Sequence, residues 1–114
     1  MKKLFVLSLL SFVVVFQFCT STRKVTANQP AKITYITNVQ PLISSNCAPC
    51  HIPPQGNKKP LNTFASAKDE IDEILTRIQK NPGEKGFMPF KHPKLSDSAI
   101  NVFKQWKANG LVEM

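Results

Sequence analysis

Sulfur and imidazole are scarce in this sequence, whose 114 residues include three cysteines and two histidines. Cys19 directly follows an apolar N-terminal run, so the rest of the chain keeps only Cys47 and Cys50, too few for a disulfide framework. A chain of this length is one domain at most and excludes a large enzyme. Internal repeats and low-complexity tracts are missing. Strand signals are weak, the best being "KITYIT" at 32–37, and nothing alternates with helices in the manner of a βαβ unit. Also missing is an apolar run approaching the ~20 residues that span a bilayer.

What the N-terminus does have is a leader. Lys2 and Lys3 precede an apolar run from Leu4 to Phe16 broken only by serines, which reads as an export signal over 1–18. Cys19 stands where a bacterial lipoprotein carries its lipidated cysteine, although Phe18 before it is bulky. Ser21, or Val25 with Ala27, offers an ordinary cleavage site instead. Both endings stay open, and with either one the working chain is periplasmic or otherwise extracytoplasmic, with membrane association through Cys19 in the first case. Residues 19–32 read as a polar tether and 33–114 as the folded domain. Removing Lys2 and Lys3 leaves 13 basic against 7 acidic residues. That excess favours acidic partners and steered association, and export argues against nucleic acid.

Three helices are expected in the folded part. Ile36, Val39 and Ile43 recur at helical spacing in "ITYITNVQPLISSNC", with Pro41 marking a first turn or a kink. In "SAKDEIDEILTRIQK", Ser66 and Asp69 resemble a capping box, and Ile71, Ile74, Leu75 and Ile78 form a stripe that stops at Asn81–Gly83. In "SDSAINVFKQWKANG", Ser96 is the expected N-cap, Ile100, Phe103 and Trp106 line one side, and Gly110 ends the helix. The fold class is therefore all-α. A core this small ordinarily needs a metal, disulfide or cofactor, and the long proline-rich loops need something to wrap around.

The candidate for that role is in "SSNCAPCHIPP". If 44–51 is helical, Cys47, Cys50 and His51 project from one face within a turn. C-x-x-C-H is the attachment signature of c-type haem, in which both thiols bond the macrocycle and the histidine ligates iron. A disulfide between Cys47 and Cys50 would close a very short loop and leave His51 unexplained. Zinc would need a fourth ligand, with His92 the one spare histidine. A thiol-disulfide oxidoreductase using Cys47 and Cys50 is the stronger rival, but its βαβ context is absent. For the sixth position on iron the chain offers Met88, His92 and Met114. Met88 in "GFMPF" is preferred, because Gly86 frees the backbone before it and Pro89 fixes it afterwards.

"CAPCH", "FMPF" with its methionine 37 residues beyond His51, and the final "KLSDSAINVFKQWKANG" together resemble the small class I cytochromes c of bacterial periplasms, over residues 33–111. The resemblance implies one covalent haem c on Cys47 and Cys50, with His51 and Met88 as axial ligands and the first and last helices crossing beside it. With both axial positions filled, the expected function is single-electron transfer rather than catalysis. Phe87, Phe90, Trp106 and Ile43 are expected to wall the site. Lys58, Lys59, Lys85 and Lys91 are expected to rim it, steering an acidic redox partner toward a monomer.

Overall fold

The structure is a computed structural model that describes residues 32–114. The expected export signal, Cys19 and the tether up to residue 31 lie outside the described residues. Among those described there are four α-helices, one π-helical turn and no strand, so the all-α class holds. No helix among them is long and apolar enough to cross a membrane.

The first helical run begins where Thr34, in extended backbone, accepts a hydrogen bond on its side chain from the Thr37 N–H. Tyr35–Val39 then form a π turn, and Gln40–Asn46 continue as α1 with Pro41 in its first turn, where no N–H is needed. The wide turn sends the Val39 N–H back to Thr34 O and the Gln40 N–H to Tyr35 O. It also rotates the buried side. Tyr35, Val39 and Ile43 are buried while Ile36 is 45% exposed, so the expected Ile36–Val39–Ile43 stripe is corrected at its first member. The weak strand signal in 32–37 is overridden by the same turn.

α2 (Phe64–Asp69) and α3 (Ile71–Ile78) occupy the stretch expected to be one helix. Glu70, at φ −98° and ψ 4°, leaves helical geometry between them. The cap also lies earlier than expected: Thr63 and Ser66 exchange hydrogen bonds as a capping box, each side-chain oxygen accepting the other's N–H at 3.2 Å. Ser66 thus fills the third helical position rather than the cap. Ile71, Ile74 and Ile78 are buried as the stripe requires. α4 (Asp97–Ala108) begins on Ser96, whose hydroxyl accepts from the Ala99 N–H at 3.2 Å, and ends before Gly110 at φ +84°.

α4 packs against α3 and against the first helical run, burying Ile100, Phe103 and Trp106. Tyr35, Phe64 and Trp106 form an aromatic cluster with centroids 5.6–6.3 Å apart, joining the first run, α2 and α4. Lys107 of α4 pairs with Asp72 of α3. The C-terminal tail lies along the start of the first run: the Tyr35 N–H bonds Val112 O at 2.9 Å, and the Ile36 N–H bonds Glu113 O at 3.0 Å. The Trp106 indole N–H also donates to Val112 O at 2.8 Å. That end of the molecule is closed, and the other end of α1 leads into Cys47.

Candidate cofactor-binding site

Cys47 is the C-cap of α1, its N–H on Ile43 O at 2.8 Å. The α-helix stops at Asn46, so the condition that 44–51 be one helix is not met; prolines follow at 49, 53 and 54. Just beyond it the His51 N–H makes a helix-sized bond to Cys47 O at 3.0 Å. Cys47, Cys50 and His51 therefore sit on a single hydrogen-bonded turn.

The loop after the turn folds back over it. The Gly56 N–H bonds Ile52 O at 2.9 Å, the Lys58 N–H bonds Cys50 O at 3.1 Å, and the Leu61 N–H bonds His51 O at 3.0 Å, with Leu61 anchored in the core. Gly56 permits this closure. A Cβ there would lie 2.3 Å from both Cys50 O and Pro49 O, too near for any side chain. Sequence reading passed over this residue; the glycine amid the prolines of "PPQGNKKP" was its only signal.

The fold-back places Lys59 O 2.7 Å from Nδ1 of His51. A carbonyl only accepts, so Nδ1 carries the proton and donates it, and in the neutral ring the lone pair is then on Nε2. A histidine that ligates a metal through Nε2 carries its proton on Nδ1 in the same way, bonded to a carbonyl or carboxylate. The two thiols are free but unlike: Cys50 is exposed and Cys47 half-buried. Burial pushes the Cys47 thiol up to about 11. It is protonated at neutral pH, a poor nucleophile but well suited to a neutral thioether. Among the described residues no group of three His, Cys, Asp or Glu side chains converges.

Met88 lies on the loop between α3 and α4. Gly86, at φ +85°, turns the chain into it, and the buried Phe87 and Pro89 bracket the half-buried methionine. The Met88 N–H bonds Arg77 O at 3.3 Å at the end of α3. Lys80 Nζ donates to Lys85 O at 2.7 Å, and Lys94 Nζ joins the loop's ends through Gln79 O at 3.2 Å and Asn81 Oδ1 at 3.1 Å. Within the same loop, hydrogen bonds from Asn81 hold the Glu84 carboxyl below the usual range. His92 is exposed on the rim of a cleft of about 350 Å3 that it shares with Leu42, Asn46, Pro89 and Ala99.

Other expected residues fall differently. Phe90 is 65% exposed, with the Lys91 ammonium 5.4 Å from its ring centroid, so it is no part of an apolar wall; the backbone reverses at Lys91, φ +61°, and carries Phe90 outward. Trp106 is fully buried against Tyr35 and Phe64. Met114 is 84% exposed, beyond the tail that lies at the start of the first run. The run from Tyr35 to Asn46 separates that tail from Cys47 by roughly 15 Å at ~1.5 Å per residue. Of the four lysines, Lys58, Lys85 and Lys91 are exposed and Lys59 is paired with Glu70. Among the described residues, the Tyr35 hydroxyl is buried without a hydrogen-bond partner.

No protein-family model, no curated protein and no solved structure matches this chain.

Proposed function

We propose that this chain is an extracytoplasmic single-electron carrier with the class I cytochrome c fold, one haem c held through Cys47 and Cys50, and His51 and Met88 as axial ligands. The observation that carries the reading is the His51 tautomer: the 2.7 Å bond to Lys59 O fixes the proton on Nδ1 and leaves Nε2 as an oriented donor, on the same turn as two free thiols. When bound, the haem supplies Fe(II)/Fe(III) one-electron chemistry. The residues present fit it. Cys47 offers a half-buried thiol and Cys50 an exposed one, either of which could form a thioether to the haem. Phe87 and Pro89 hold a half-buried neutral sulfur in Met88, whereas His92 points to a more exposed setting. His51 and Met88 would together hold the iron from the chain, which would leave it suited to electron transfer rather than to binding a substrate.

A thiol-disulfide oxidoreductase is the second reading, and the Cys47 thiol weakens it. Such an enzyme needs a cysteine whose pKa is lowered toward neutrality, and here burial raises one of the two while no strand among the described residues supplies the usual frame. Anchoring through a lipidated Cys19 belongs to the same proposal and follows from the sequence alone.

Co-expressed with a cytochrome maturation system, the purified protein should keep its haem through denaturation in acid and organic solvent. A colourless protein with a titratable dithiol, or haem that extracts freely, would overturn the proposal.

A further inference from the structure

Lys59 serves His51 twice over. Its backbone carbonyl accepts the Nδ1 proton, and its ammonium pairs with Glu70. Glu70 is itself fixed: it ends α2 and starts α3, its N–H returns to Ser66 O, its carbonyl accepts from the Ile74 N–H at 2.8 Å, and the neighbouring Ile71 and Ile74 are buried. The Glu70 side chain is 19% exposed against 68% for Lys59, so the carboxylate is the sheltered, immobile partner and the lysine the one being held. The loop around Lys59 has few apolar anchors of its own; residues 57–60 are all exposed. The position of Lys59 O therefore depends on the backbone bonds of Lys58 and Leu61 on either side of it and on the Lys59–Glu70 pair.

We propose that Glu70, acting through Lys59, is the positioning residue for His51: it holds the acceptor that fixes the ring's tautomer and the strength of its Nδ1–H bond. The inference rests on His51 being an axial ligand for its functional meaning, but the hydrogen bond exists in the protein independently of that reading. A strongly bonded Nδ1–H makes the imidazole a more basic ligand, which favours ferric iron. Releasing Lys59 O weakens that bond and favours the ferrous state. As an exposed ion pair the contact contributes little to stability, so position rather than stability is what its loss alters.

The test compares the purified full chain with Glu70→Gln, with Lys59→Met, which leaves the α2–α3 junction untouched, and with the exchanged pair Glu70→Lys/Lys59→Glu. The first readout is exchange of the His51 Nδ1 proton with solvent, followed by NMR in the reduced, diamagnetic protein. The second is the reduction potential. Both single variants should exchange faster by about two- to fivefold, the range that an exposed pair worth up to ~1 kcal/mol allows. They should shift the one-electron equilibrium about threefold toward the ferrous form, on the order of 30 mV at ~59 mV per decade. The exchanged pair should restore both readouts. Wild-type exchange and potential in both folded single variants would overturn the inference, as would an exchanged pair that restores neither. If the purified chain carries no covalent haem, the functional reading falls by itself, and proton exchange still decides whether Glu70 positions His51.

Discussion

Burial makes the two thiols of one short motif chemically different, and the difference is measurable through pH. The Cys47 pKa is raised from 9.0 to about 11 in the fold, so the folded state binds its proton more tightly than the unfolded chain. The contribution to stability is fully present below pH 9 and is lost as pH climbs from there to about 11. At ~1.4 kcal/mol per pKa unit, and allowing for partial exposure, the loss is roughly 2 kcal/mol. Denaturant unfolding at pH 8 and at pH 11 should show it as an extra destabilisation of free-thiol protein relative to Cys47→Ala. Protein whose Cys47 is bonded as a thioether cannot ionise there and should lack the extra loss. The neighbouring constraint is steric rather than electrostatic. Gly56→Ala would force the loop off the turn that carries both thiols, because the added carbon lies 2.3 Å from Cys50 O. The expected cost is about 2–4 kcal/mol of stability, read by denaturant melts, together with a marked fall in the yield of covalently attached haem. An Ala variant that folds and loads normally would mean the fold-back is dispensable.

At the scale of elements, periodicity and caps were legible wherever α-helical geometry is regular. α4 was fully readable, since Ser96, the Ile100–Phe103–Trp106 side and Gly110 each act within a few residues of themselves. The isoleucine stripe of α3 was readable for the same reason. What escaped was irregular or long-range: the π turn at 35–39, the break at Glu70, the Thr63 cap, and the fold-back of 52–61 that supplies the His51 acceptor. A hydrogen bond from His51 to a carbonyl eight residues on depends on loop path, which spacing rules do not encode. The candidate site was half-legible in the same way. Cys47, Cys50 and His51 are visible as a motif, while Gly56, Lys59 and Glu70 acquire meaning only in three dimensions. The Met88 loop supports an element-scale prediction, because three ties hold Met88 in a fixed loop and His92 stands exposed beyond it. In the haem-loaded protein, Met88→Ala should abolish the weak long-wavelength sulfur-to-iron band, admit small exogenous ligands and confer weak peroxidase activity. His92→Ala should leave spectrum and potential unchanged. The reverse pattern would make the iron bis-histidine coordinated and the carrier a lower-potential one.

For the whole molecule, charge and layout act together. The chain carries 15 basic against 7 acidic residues, and the pairs Lys59–Glu70, Arg77–Glu73 and Lys107–Asp72 each join one of either sign, so they leave that excess unchanged. Lys58 beside the cysteine turn, and Lys85 and Lys91 on the Met88 loop, are exposed. The C-terminal tail is bonded to Tyr35 and Ile36, at the far end of the first run from Cys47. Proposed docking at that turn brings a positive field to an acidic surface. Exposed charges are screened over ~10 Å at ordinary salt, so the bimolecular electron-transfer rate should fall roughly tenfold between ~10 mM and ~200 mM ionic strength. Lys58→Glu combined with Lys91→Glu should lower the low-salt rate and flatten its salt dependence, while the rate at high salt converges on that of the unaltered protein. Unchanged salt dependence in the double variant would show these lysines to be merely solvated and would move the docking surface elsewhere on the molecule.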